Sequence, residues 1–425
     1  MFNALQTCVL VLVGMTLPFG YTHLDLGFMI LTPSKLASAL LVVLVLAEVG
    51  LAPRREFRIG WRAVWLSMFL VSVGVSSAMS IFTGLPVAAV ITTSVTWLSL
   101  IAMTGLLAYT LKTERQLRLL IASYTLGAVY VAVTGFLGEG YTTTSAEGIR
   151  IGGEGGNSNE AAFHLVLGVA TAFVMMQTTP RPRFRILWAG IAVLLIVAVG
   201  ATLSRSGILA LVFMGALWAF RFRRFDLLRV AVPAVMVVAL AVYLMPSSVG
   251  ERLESMAPDK ASRDTSIQSR KELLPLAIRA FAENPVAGVG ISGWLRWAIR
   301  HQASHSEVVH NAHIHIAAEQ GLLGLIPFTA LTLMTWWDFS RTWKFVRRRG
   351  RSDPLLRNLG AQATYLQFGY LGCLVVGNFQ PAMRYKGLWL CFALAGVVVQ
   401  LAAQRASEIS PGSAQPATRS AARAA

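Results

Sequence analysis

His310 to Gly324 reads HNAHIHIAAEQGLLG and joins a long polar segment to an apolar helix. Its histidines therefore fall where a membrane meets water, and an imidazole with an ordinary pKa of about 6.5 can give or take a proton there at neutral pH. Outward from this stretch, apolar runs of about 20 residues recur, each long enough to cross a hydrocarbon core about 30 Å thick. With 425 residues, 55% hydrophobic and only 13% charged, the chain is too apolar for a soluble protein. The fold class is an all-α polytopic membrane protein.

The net charge of +17 invites a nucleic-acid reading, but the basic residues cluster at every second gap between apolar runs. Arg54, Arg55, Arg58 and Arg62 form one cluster, and Lys112, Arg115 and Arg118 the next. Arg181, Arg183 and Arg185 follow, then Arg221, Arg223, Arg224 and Arg229, then the run from Arg341 to Arg357. This alternation follows the positive-inside rule, makes these gaps cytoplasmic and argues against nucleic acid as a partner. It predicts about twelve helices with both termini cytoplasmic. They fall near Leu5–Gly20, Leu36–Leu51, Ala63–Phe82, Leu85–Leu111, Leu119–Leu137, Ala161–Met176, Ile186–Leu203, Gly207–Phe220, Val230–Leu244, Ile314–Trp336, Gln362–Val376 and Gly387–Ala402.

The first run has no basic residue before it and no small-residue cleavage site, which predicts a retained helix. Trp336, Trp337 and Trp343 look like interfacial anchors. Residues 1–403 form one transmembrane domain on this reading, and 404–425 a disordered cytoplasmic tail. Cys8, Cys373 and Cys391 all sit inside apolar runs and suggest neither a disulfide framework nor a metal knuckle.

On this map the outer face carries two substantial segments, Gly138 to Glu160 and a long outer loop, 246–309, between the ninth and tenth helices. Within the loop, Leu273–Ala282 is a plausible amphipathic helix. Thirteen Lys and Arg fall on the outer side, among them Arg150, Arg205, Arg263, Arg270, Arg279, Arg384 and Lys386. Most could be solvated loop surface. Arg205 differs, because it sits in the short turn ATLSRSG, and a cation at membrane depth usually has a partner or a role. Its planar fork suits phosphate oxygens. The run from Arg150 through Gly-Gly-Glu-Gly-Gly to Asn159 offers a second anion site at a helix start, where Ser158 or Asn159 is a natural N-cap.

Five of the seven histidines, His301, His305, His310, His313 and His315, lie close together. Metal ligation is disfavoured. On a helical wheel His310 and His313 share a face while His315 points away, and no His-Glu-x-x-His arrangement is present. His315 and Glu319, four residues apart, are better placed to pair with each other.

The motif His310-Asn311, nine residues, Gly321, two residues, Gly324 resembles that of the O-antigen ligase family. Arg270, then Asn284-Pro285 and Gly288-Val289-Gly290, resembles the stretch preceding the family's histidine, and SRSG at Arg205 and GNSN before the sixth helix resemble it further. The resemblance implies a fold like that of the glycosyltransferase C superfamily and an inverting transfer without metal or other cofactor. The implied donor is an undecaprenyl-diphosphate-linked glycan and the acceptor a sugar hydroxyl of lipid A-core, on the periplasmic side of the bacterial inner membrane.

The same resemblance makes His310 the general base and Arg205 and Arg270 the diphosphate ligands, with Arg263 and Arg279 as rivals for the second place. Arg150, Asn159, Asn311 and His313 are further candidates for substrate contact. An O-antigen polymerase would use the same donor with a lipid-linked glycan acceptor, and a glycan transferase onto protein is a more distant relative. A lipid-linked glycan transporter would also be basic and polytopic, but the sequence shows no internal repeat.

Overall fold

The computed structural model describes residues 2–18, 24–25, 30–51, 60–138, 142–145, 148–152, 157–222, 265–303, 307–349 and 352–409. Among them are thirteen α-helices: α1 (Phe2–Thr16), α2 (Pro33–Leu51), α3 (Trp61–Phe82), α4 (Val87–Thr110), α5 (Glu114–Phe136), α6 (Ser158–Thr178), α7 (Pro182–Ala201), α8 (Arg205–Phe222), α9 (Thr265–Glu283), α10 (Trp294–Arg300), α11 (Ala312–Arg349), α12 (Pro354–Gly377) and α13 (Lys386–Ile409). A single 3-10 turn, Ala382–Arg384, separates α12 from α13. Two small antiparallel hairpins complete the described elements. β1 (Leu24–Asp25) pairs with β2 (Ile30–Leu31), and β3 (Thr142–Ser145) with β4 (Gly148–Ile151), Thr142 opposite Ile151.

Eight helices, α2 to α7, α11 and α13, are long and apolar enough to cross a membrane. The chain is thus a multi-pass, helical membrane protein. A helix stands at every expected position except Val230–Leu244, which lies outside the described residues. The amphipathic stretch expected at Leu273–Ala282 belongs to the longer α9, which carries Pro275 within it. Helix α13 continues to Ile409, past Gln404, where composition alone puts the start of a disordered tail; residues 410–425 lie outside the described ones.

Helix starts follow local chemistry. Thr113 caps α5 by accepting the Gln116 amide, and Asp353 caps α12 by accepting that of Leu356. Helix α6 is the central column, buried along most of its length. Small residues let its neighbours approach: a side chain at Gly168 would press on Ala128 of α5, and one at Gly369 of α12 on Ala170. Around it runs one continuous apolar core, with Phe69, Trp97, Phe328, Trp389 and Phe392 forming an aromatic knot between α3, α4, α11 and α13. A second, smaller core joins Leu273, Ala277 and Ala280 of α9 to Trp294 and Ala298 of α10, to Val309 just before α11 and to Ala318 of α11.

Described members of the basic clusters meet partners near the end where α11 finishes. There Arg62 meets Asp338 at 2.6 Å and Lys112 meets Glu48 at 2.8 Å. Trp343, expected as a lipid anchor, lies between the guanidinium groups of Arg221 and Arg347, 3.5 and 4.6 Å from its ring. The His310 segment lies at the opposite end, where α11 begins.

Candidate functional site at the broken helix

Asn311 is the N-cap of α11: its carboxamide oxygen accepts the amides of His313 and Ile314, each at 3.1 Å. His310 is therefore the last residue before the helix, and the wheel that set it on one face with His313 does not apply to it. Its side chain is 18% exposed, and its Nε2 lies 3.2 Å from Oε2 of Glu307. If Nε2–H donates to that carboxylate, Nδ1 carries the lone pair.

Eleven residues on, Gly321 interrupts α11 with φ 60° and ψ −155°, a conformation open in practice only to glycine. The break frees backbone groups, and the loop after α9 takes them up. Val289 and Gly290 donate their amides to the carbonyls of Ala318 and Glu319 at 2.8 and 3.0 Å. Leu322 and Leu323 donate to Pro285 and Val286 at 2.8 and 3.1 Å. A Cβ at Gly321 would collide with the Val286 carbonyl, and one at Gly288 with the Glu319 peptide. The two glycine motifs separated in sequence are thus the two halves of one backbone joint.

Helix α3 closes the joint. Ser76 donates to the Glu319 carbonyl at 2.7 Å, Ser80 to the Ile291 carbonyl at 2.6 Å, and Ser72 to Oε1 of Gln320 at 2.9 Å. Irregular backbone among membrane helices requires such internal satisfaction. The arrangement fastens the α9–α10 unit to the helix that begins beside His310.

A second polar group forms where α6 and α8 begin. Ser204 caps α8 by accepting the Gly207 amide at 3.2 Å, and its hydroxyl donates to Oδ1 of Asn159 at 2.7 Å. Arg205 is the first residue of α8 and is half-buried. The N-cap of α6 is Asn157, whose side chain accepts the Asn159 amide, and not Ser158 or Asn159 as the sequence suggests. Asn159 is left to tie the two helix starts together.

The segment between α12 and α13 joins the two groups. Asn378 accepts a hydrogen bond from Asn311 at 3.3 Å, and the Tyr385 hydroxyl accepts one from Asn157 at 3.5 Å. The 378–385 segment is thus bonded at one end to the residue after His310 and at the other to Asn157, the cap of the helix whose Asn159 is tied to Ser204. Asn378, Tyr385 and Glu307 were not among the residues singled out in the sequence. Nothing in their local pattern marks them.

The remaining candidates are distributed as follows. Arg270 lies on α9, its side chain outside the described residues, as is Arg263 altogether. Arg279 is well exposed and pairs with Glu283 at 2.8 Å. Arg150 lies on β4 opposite Thr143, its side chain likewise outside the described residues. His313 packs edge-on against Phe328, ring centroids 5.2 Å apart, and both line a cavity of about 80 Å³ that also reaches Asn378 and Ala382. His315 and Glu319 are buried and 3.2 Å apart, the pairing expected from their spacing. Among the described residues no three His, Cys, Asp or Glu converge as a metal ion would require.

No curated protein matches the chain. Residues 190–329, which run from α7 through the Arg205 turn, α9 and His310 to the break in α11, match the family model described as O-antigen ligase, so the family resembled by the His310 motif is also the one matched by this central part of the chain.

Proposed function

We propose that this protein is an inverting glycosyltransferase that moves a glycan from undecaprenyl diphosphate to a sugar hydroxyl of lipid A-core, at the periplasmic face of the bacterial inner membrane. His310 removes the proton of the attacking hydroxyl. The new glycosidic bond forms on the face of the anomeric carbon opposite the departing oxygen, and the bond to diphosphate breaks as its electrons pass to the leaving group. Arg205 and Arg270 meet the charge that grows there, the role preorganised cations fill best in a site that excludes water. Glu307, 3.2 Å from Nε2, orients the His310 ring.

The observation that supports this reading is that one segment, 378–385, is bonded at one end to Asn311, next to His310, and at the other to Asn157, on the helix start that Asn159 ties to Ser204, next to Arg205. Base and cation belong at opposite ends of the bond being exchanged. Because both substrates are lipids, access is lateral, between helices and beneath the long loop, with residues 1–403 acting as one membrane domain and both termini cytoplasmic.

The test is transfer by the full-length protein, purified in detergent, from lipid-linked glycan to lipid A-core. His310→Ala is expected to bind donor and fail to transfer, whereas Arg205→Ala and Arg270→Ala weaken donor binding. Transfer at the wild-type rate by His310→Ala removes the assignment of the base. Lengthening of the glycan when donor is supplied alone makes the enzyme a polymerase.

A further inference from the structure

We propose that Arg384 is a third cation of the donor's phosphate site, supplied by the segment between the last two helices; the assignment rests on the glycosyltransferase reading above. This segment touches both halves of the site. Asn378 is bonded to the residue after His310, and Tyr385, next to Arg384, is bonded to Asn157 on the side of Arg205.

Arg384 ends the 3-10 turn Ala382–Arg384. The turn is fixed by the Tyr385 amide donating to the Ala382 carbonyl at 3.0 Å and by the Trp389 indole donating to the Met383 carbonyl at 2.8 Å. Ala382, Met383 and Tyr385 are all buried, while Arg384 between them stays half-buried. The backbone is thus anchored on either side of one guanidinium that the core does not absorb.

Of the carboxylates, Glu319 of α11 interacts with Arg384 and Glu160 of α6 with the adjacent Tyr385. Glu319 feels the charge of Arg384, but its carboxylate lies 3.2 Å from His315, and among the described residues no carboxylate comes within 4.0 Å of the Arg384 guanidinium. A guanidinium held near membrane depth without such a close partner is well suited to a phosphate oxygen, which its fork meets with two parallel N–H bonds. Its segment is bonded beside His310 at one end and to the Asn157 helix start at the other, the stretch along which a leaving diphosphate would need a cation.

The experiment uses the full-length protein and inorganic pyrophosphate as inhibitor of transfer, alongside the KM for donor and thermal unfolding. Arg384→Gln is expected to raise the pyrophosphate concentration for half-inhibition and the donor KM by about tenfold. The Tm should move little, and Arg384→Lys should recover part of the loss. Unchanged pyrophosphate inhibition in Arg384→Gln overturns the assignment. A large fall in Tm that Glu319→Gln reverses overturns it too, making Arg384 only the counter-ion of Glu319. Wild-type protein that transfers no glycan fails at the earlier step, removing the functional reading and the assignment with it.

Discussion

At the basic end of the bundle, charges are paired within the protein: Arg62 with Asp338, Lys112 with Glu48, Arg405 with Asp353, and Arg221 over Trp343. At the His310 end the ion pairs Arg279–Glu283 and His315–Glu319 stay within single helices, and amides and hydroxyls join one element to another, through Asn311 to Asn378, Asn157 to Tyr385 and Asn159 to Ser204. The contrast has a physical basis. Ion pairs hold helices at fixed separation but neutralise the cations that take part. Neutral groups can fix the backbone just as well, without a charge on either side of the contact.

The widest separation of the two ends should come from His310→Ala. Losing a general base is expected to lower transfer by about 10²–10⁴-fold, with thermal unfolding unchanged, measured on the purified protein. Next is Gly321→Ala. A Cβ at this backbone conformation is strained and meets the Val286 carbonyl, so a destabilisation of about 3 kcal/mol is expected, with transfer lost because the α9–α10 unit no longer seats. A Gly321→Ala protein that melts normally and transfers normally would mean the joint does not position the site.

The basic end should respond in the opposite sense. Arg62→Ala strands the largely buried Asp338 and is expected to cost about 2–3 kcal/mol of stability, while transfer below the new melting point stays near wild type. A selective loss of catalysis in this variant would erase the distinction between the ends. The smallest effect is acidic. Bonds from Arg405 and from the Leu356 amide hold the Asp353 carboxyl below its ordinary range in the folded protein. Its contribution is complete above the unfolded carboxyl's pKa of about 4 and disappears as pH falls through the lower folded value. A slight drop in Tm below about pH 4, absent in Asp353→Asn, would register it.

Much of the helical layout is legible in the sequence because hydropathy and alternating charge act locally. The His315–Glu319 pairing is legible for the same reason, since it needs only one turn of helix. The Gly321 break is not. A lone glycine in an apolar helix is ordinarily tolerated, and only the loop bearing Gly288 and Gly290, brought in from outside the helix, gives the kink its hydrogen-bond partners. The N-cap of α6 is misjudged by one or two residues because Asn157, Ser158 and Asn159 are all competent caps. The choice turns on Ser204, which engages Asn159 from another helix start.

By itself the sequence determined that this is a helical membrane protein and where most of its described helices lie, although α11 runs on to Arg349 and α12 begins at Pro354, well outside the expected Trp336 and Gln362. Only the tertiary structure decided that Asn311 excludes His310 from the helix, that Ser72, Ser76 and Ser80 close the joint at Gly321, and that 378–385 stands between His310 and Arg205. The reason is range. Hydrophobic length and capping depend on neighbours within a turn or two, whereas a site built from side chains hundreds of residues apart exists only once the helices have packed.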